Sequence, residues 1–289
     1  MSTHSTLRGY IELAKLRLSF LVLVTTAIGF FWAGHPPYDL ALFFTTILGT
    51  TLSASGANAL NQWAERDLDA LMRRTQNRPL PTGRLSPAQV LAFGILTTST
   101  GFALLYFAVN LLTAGLAALT VLSYVLLYTP LKRHSYLCTL VGAVPGAIPP
   151  VMGATAVSGI VGTEAMILFA ILFFWQLPHF YAIAWMYKDD YEAGGYPMLA
   201  VGDHDGQRTT SHSVATWALL TLATFIPSLF ALAGTFYLVT AVVLNVAFLI
   251  MILTFARAKT YAAARRTFLF SVIYLPLLLC ALVMDPRVS

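Results

Sequence analysis

Asn61, Glu65 and Asp69 stand four residues apart, a spacing that stacks their side chains on one face of a helix. Asn58 lies one turn earlier. Oxygen ligands one turn apart suit a hard cation such as Mg²⁺, commonly held by one or two carboxylates together with phosphate oxygens. Sulfur and clustered imidazole are missing from this stretch, which argues against zinc or a redox metal. Asp67 projects elsewhere on the helix, either to a salt bridge with Arg66 or a later arginine, or to the metal. Arg73, Arg74 and Arg78 follow, before Pro79 and Pro81. Guanidinium forks beside a carboxylate stripe suit a diphosphate. Taken without the acids, the same arginines read better as anchoring charge.

A second polar run, Tyr187-Lys188-Asp189-Asp190-Tyr191-Glu192, is followed by Ala193-Gly194-Gly195. It can supply a second carboxylate site. Upstream, Trp175-Gln176-Leu177-Pro178-His179-Phe180 puts a glutamine and a histidine inside an apolar helix, where polar groups demand partners. Two readings fit His179: a hydrogen-bonded packing residue, or a contact with a polar or metal-containing part of a ligand. Gly142, Gly146 and Gly153 flank Pro145, Pro149 and Pro150. The glycines permit close helix approach, and the prolines distort a helix and help open a cavity. Just before them, Tyr128-Thr129-Pro130-Leu131-Lys132-Arg133 either faces the mouth of that cavity or anchors its helix.

The elements that must hold these residues follow from composition. Of 289 residues, 17 are basic and 12 acidic, 10% in all, while 58% are hydrophobic. Soluble domains carry about 25% charge, so a soluble core is excluded, and with it a nucleic-acid-binding domain. Charge-free stretches run over residues 18–38, 40–64, 85–131, 134–163, 165–187, 209–256 and 267–284. A spanning helix needs about 20 apolar residues. Five stretches fit one helix each. The two longest fit two, with breaks at Asn110 and Gly234. The spacing therefore predicts an all-α, polytopic membrane protein of nine transmembrane helices, forming a single domain over residues 1–289. Residues 1–17 make an N-terminal segment with an interfacial helix. Long connections over 61–87 and 187–212 carry the active-site polar groups. With nine spans, every lysine and arginine except Arg287 falls on one side. The positive-inside rule makes that side cytoplasmic, with the N-terminus there and the C-terminus outside. Cys138 and Cys280 fall near opposite membrane faces, too far apart for a disulfide.

The runs quoted above resemble the intramembrane aromatic prenyltransferases of the UbiA type. Asn61 to Asp69 resembles that family's N-x3-D-x3-D motif, with Glu65 where aspartate is usual. The continuation through Met72, Arg74, Thr75, Asn77, Arg78 and Pro79 resembles the family's heme-farnesylating branch, the protoheme IX farnesyltransferases or heme O synthases. So do Tyr128–Arg133, Gly142–Gly153, Trp175–Phe180, Asp190-Tyr191 followed by Gly194, and Ala264-Arg265-Arg266. The resemblance spans about residues 10–285. It implies nine helices around a central cavity opening near the cytoplasmic face of the inner membrane. It also implies Mg²⁺-dependent transfer of farnesyl from farnesyl diphosphate to a vinyl group of heme B, with water addition, giving heme O and diphosphate. By matching position, Asn61, Glu65, Asp69 and Asp190 would be catalytic and hold the metal, with Lys188 a catalytic phosphate contact. Asn58, Arg74, Arg78, Lys132, Arg133, His179 and Tyr187 would bind substrates, His179 as propionate partner or iron ligand. The implied partners are farnesyl diphosphate, heme B, the lipid bilayer, and heme A synthase or terminal-oxidase assembly.

Three rivals compete with this reading. One is a related prenyltransferase acting on a quinone precursor or a chlorophyllide. Another is a transporter, which would carry polar groups along both halves of its path rather than at one face. The third is a structural oxidase-assembly subunit, for which Asn61 and Asp190 would be dispensable.

Overall fold

The structure, a computed structural model, describes residues 3–285, without the side chains of residues 3–5 and 16–18. The basic residues Arg17 and Arg287 of the charge-sidedness argument lie outside the described residues or side chains. The described chain is helical, with no strand: α1 Thr3–Ala14, α2 Leu16–Ala33, α3 Leu40–Asp69, α4 Pro87–Ala108 and α5 Leu111–Leu131. Then come α6 Cys138–Ser158, α7 Thr163–Met186, α8 Lys188–Ala193, α9 Gln207–Leu229, α10 Thr235–Ala258 and α11 Tyr261–Met284. Among the described residues, eight helices are each long and apolar enough to cross a membrane. A bent pair, α1 with α2 at 44°, supplies a ninth if it counts as one span.

Local sequence sets the breaks. Asn110 interrupts the first long apolar stretch by accepting the Thr113 N–H at 2.8 Å as the N-cap of α5. Gly234 is the N-cap of α10, dividing the second stretch. Ser86 and Gln89 form a capping box with Pro87 in the first turn of α4, which ends the connection and fixes where that span begins. One boundary differs from the sequence expectation. Residues 61–69 belong to α3 and are not loop, because the polar stripe keeps its helical spacing past the apolar stretch. The first connection is therefore residues 70–86. The second is interrupted by the short helix α8.

Large apolar side chains such as Phe107, Leu229 and Met284 face outward at 83%, 79% and 73% exposure, as lipid contact requires. The interior is centred on α6, whose apolar stretch is 67% buried, against 22% for α4. The backbones of α2 and α6 meet without side chains between them. A Cβ on Gly153 would fall on the Thr26 carbonyl, and one on Gly29 on the Pro150 carbonyl. That close crossing explains why small residues recur there. Both cysteines are free. Pro145, Pro149, Pro150 and Pro178 lie inside continuous helices.

Candidate active site

The carboxylate stripe of α3 is buried. Asn61, Glu65 and Asp69 are 3%, 2% and 1% exposed, and a buried charge must be paired. Lys132, from the connection after α5, places its Nζ 3.0 and 3.3 Å from the two Glu65 oxygens. The Arg78 guanidinium lies 2.6 Å from Asp69 Oδ2. Asp190, from α8, accepts the main-chain N–H of Arg74 at 3.3 Å. The Arg74 guanidinium lies over the rings of Tyr187 and Tyr191, 5.2 and 5.6 Å from their centroids. Glu65 and Asp69 thus each hold a cationic side chain, and Asp190 reaches the same region through the main chain of Arg74.

Asn61 is oriented by a break in helical regularity. Residues 123–128 of α5 take π-helical form, a local bulge that recurs at functional sites. There the Thr129 hydroxyl donates to the Tyr124 carbonyl at 2.8 Å and accepts from Asn61 Nδ2 at 3.0 Å. The amide nitrogen is thereby engaged, leaving Oδ1 as the group Asn61 can offer a cation.

Two buried oxygens in this region have no hydrogen-bond partner: Asp69 Oδ1 and the Tyr196 hydroxyl. Burial, then the nearby Glu65 and Asp69 charges, push the Tyr196 phenol well above its ordinary range, so it stays protonated. An orphaned carboxylate oxygen, with a second carboxylate and an amide oxygen on the same helix face, fits a hard cation. Among the described residues, no three His, Cys, Asp or Glu side chains cluster closely enough to hold a metal alone. The donor set is therefore sparse and suits an ion that also takes ligands from a bound phosphate.

Below this polar mouth lies an apolar cavity of about 300 Å³. Asn58, Tyr124, Pro149, Trp175, Gln176 and His179 are among its lining residues, and among the described side chains no lysine or arginine lines it. Asn58 joins the two regions, since it stands on the helix that carries the carboxylates. A Cβ on Gly146 would fall on Gln176 Oε1. The Gln176 Nε2 donates to the Leu172 and Ala143 carbonyls at 2.9 and 3.3 Å.

The structure thus brings together Asn61, Glu65, Asp69, Arg74, Arg78, Lys132, Tyr187 and Asp190. Arg133 is adjacent, donating to the Ala64 carbonyl at 2.6 Å. Lys188, next to Tyr187, has its ammonium 4.8 Å from the Trp185 ring centroid. Asp67 pairs with Arg66 at 3.6 Å, its side chain 79% exposed, away from the stripe. Several site residues escaped the sequence reading. Tyr196 lies beneath the Lys132 ammonium at 4.3 Å. Lys15, at the α1–α2 break, feels the charges of Arg78, Glu65, Lys132 and Asp69. Nothing in local spacing marks either one, although an isolated lysine at the start of an apolar stretch is a weak signal.

Residues 22–274 match the model of the UbiA prenyltransferase family. The chain is 45% identical to a protoheme IX farnesyltransferase of Solibacter usitatus, covering 96% of this chain and 99% of that one. It is 43% identical to the protoheme IX farnesyltransferase of Opitutus terrae, covering 96% and 94%. Among solved structures it resembles a digeranylgeranylglyceryl phosphate synthase, with a TM-score of 0.79, 16% identity and coverage of 97% and 98%. It also resembles a UbiA homolog from Archaeoglobus fulgidus bound to DMAPP and Mg²⁺, with a TM-score of 0.70, 14% identity and coverage of 96% and 99%. These two likenesses establish the fold.

Proposed function

The chain belongs to the UbiA prenyltransferase family, and from that premise we propose that it farnesylates heme B. It transfers the farnesyl group of farnesyl diphosphate to a vinyl group, adds water, and releases heme O and diphosphate. The observation that carries this reading is the junction on α3. One helix ends in a buried, charged mouth and, a turn or two earlier, lines an apolar cavity that contains a histidine. A substrate with a diphosphate head and an isoprenoid tail matches that division, and so does an apolar macrocycle beside the tail.

Asn61, Glu65, Asp69 and Asp190 are the residues that would hold Mg²⁺. When bound, the ion supplies positive charge against the departing diphosphate. Arg78 and Lys132 are positioned to take phosphate oxygens, because each already lies against a carboxylate that can release it to an anion, and the Arg74 guanidinium, held over Tyr187 and Tyr191 with no carboxylate partner among the described residues, is proposed to join them. Lys188, Arg133 and Tyr187 are proposed to complete the rim. Positive charge around the head group stabilises the leaving diphosphate as the C–O bond breaks. The allylic cation left behind faces Tyr124, which lines the cavity and stacks on Tyr128 at 5.3 Å. An aromatic face contributes about 0.5–2 kcal/mol to a nearby cation. The terminal vinyl carbon then bonds to farnesyl C1. Water adds to the adjacent carbon and loses a proton. No protein nucleophile is required.

The protein is a multi-pass membrane protein. We place its polar mouth on the cytoplasmic side of the inner membrane, supported by the one-sided basic residues and by the water-soluble head group it must admit. The test offers the purified protein heme B, farnesyl diphosphate, Mg²⁺ and 4-hydroxybenzoate together. Heme O is the expected product. Prenylated 4-hydroxybenzoate alone would overturn the proposal.

A further inference from the structure

His179 and Trp175 stand one turn apart on α7 and stack at 5.1 Å. On the other helix, Phe268 of α11 lies 4.9 Å from the imidazole. The ring is therefore packed against aromatic groups from two helices. Its Nδ1 lies 2.7 Å from the Ser271 hydroxyl, which is fully buried. Ser271 Oγ is in turn 2.6 Å from the Phe268 carbonyl. A hydroxyl has one proton and a carbonyl has none. The short contact with Phe268 therefore takes the serine proton, and the bond to His179 must be donated by Nδ1–H. In neutral imidazole only one nitrogen carries hydrogen. Nε2 then holds an unshared lone pair, and no hydrogen bond to it is present among the described residues. The Trp175 indole N–H fixes the same segment by donating to the Ser271 carbonyl at 2.8 Å.

A lone pair without a proton cannot donate to a carboxylate, but it can bind a metal. Among the described side chains, the cavity lining contains no lysine or arginine to neutralise an acid, so a propionate drawn down to His179 would be an unpaired buried charge. From this geometry we propose that His179 Nε2 ligates the iron of the heme substrate, and that Ser271 is the positioning residue that keeps that nitrogen unprotonated. The proposal rests on the heme-farnesylating function above. Its consequence is geometric: a porphyrin lies across the bond from its axial ligand, so a clamped imidazole sets the plane in which the vinyl groups are presented.

The test uses the full-length protein in detergent with ferric heme B, or with iron-free protoporphyrin IX as control. Heme O formation in the same preparation tests the underlying function separately. The unaltered protein should give the absorption and EPR signature of imidazole-ligated iron, and should bind heme B more tightly than the iron-free ring. His179→Ala should lose both the signature and that preference. Ser271→Ala should weaken heme affinity by about 10- to 100-fold, the effect of losing a hydrogen bond behind a metal ligand. Ser271→Thr, which keeps the hydroxyl, should restore it. A bound-heme spectrum unchanged by His179→Ala, or equal affinity of the unaltered protein for heme B and the iron-free ring, would overturn the proposal even if heme O is formed.

Discussion

The mouth and the cavity below it solve the burial of polar groups in opposite ways. At the mouth, Glu65 and Asp69 each pair with a cationic side chain, and the Arg74 guanidinium lies over two tyrosine rings. Both ion pairs can be exchanged when an anion and a metal arrive. In the cavity, the N–H groups of Gln176 and Trp175 are already satisfied by fixed backbone carbonyls, and His179 keeps one nitrogen in reserve. Exchangeable charge suits a head group that must be bound, cleaved and released. Fixed hydrogen bonds suit an apolar substrate that must be held in a single orientation. The difference predicts that variants at the mouth impair use of farnesyl diphosphate, whereas variants in the cavity impair use of heme.

The largest effect should come from the orphaned carboxylate. Asp69→Asn removes a charge from the proposed metal site and the partner of Arg78. It should lower kcat by about 10²–10³ while heme B binding is retained, as read by steady-state kinetics and heme titration. A loss confined to heme affinity would break the division between the two regions. Next is Lys132→Met, which strands Glu65 at 2% exposure. Leaving a buried charge unpaired costs about 3–5 kcal/mol, visible as a lower thermal midpoint. Adding Glu65→Gln should return most of that stability without returning activity. Recovery of activity in the double variant would show that the pair is structural only.

Within the cavity, Gly146→Ala puts a methyl group where Gln176 Oε1 lies. Overpacking of this kind costs about 1–3 kcal/mol, and the expected readout is a raised KM for heme B with the KM for farnesyl diphosphate unchanged. The smallest effect belongs to neither region. Asp203 accepts the N–H groups of Thr209 and Arg208 at 2.7 and 3.3 Å and caps the start of α9. Burial raises its carboxyl, but these donors outweigh burial and hold it below the usual range. A lowered folded pKa adds stability above the unfolded pKa, and that stability is lost as pH falls through the folded value. Asp203→Asn should cost about 1 kcal/mol near neutral pH and flatten the acid limb of a melting curve. Activity should be unaffected.

Much of the fold was legible because a bilayer permits few solutions. Charge-free stretches gave the spans, and Asn110 and Gly234 marked the breaks that the structure has. The mouth was legible in part, since Asn61, Glu65 and Asp69 share one helix and their spacing is a local signal. Their partners were harder to find. Nothing near Glu65 names Lys132 as its cation, 67 residues away in sequence, and Thr129 becomes a partner of Asn61 only through the π-helical turn. Least legible was the environment of His179. Ser271 lies 92 residues away and reads as an ordinary small residue in an apolar helix. Sequence periodicity identifies which face of a helix is polar; it does not say which other helix will meet that face.

The most direct test of the account is mass spectrometry of hemes extracted from membranes of a heme O-deficient host, with and without this chain. The account predicts heme O when the chain is present, and only heme B when it is absent or carries Asp69→Asn. Membranes containing the folded, unaltered chain but no heme O, with heme B and farnesyl diphosphate both available, would contradict it.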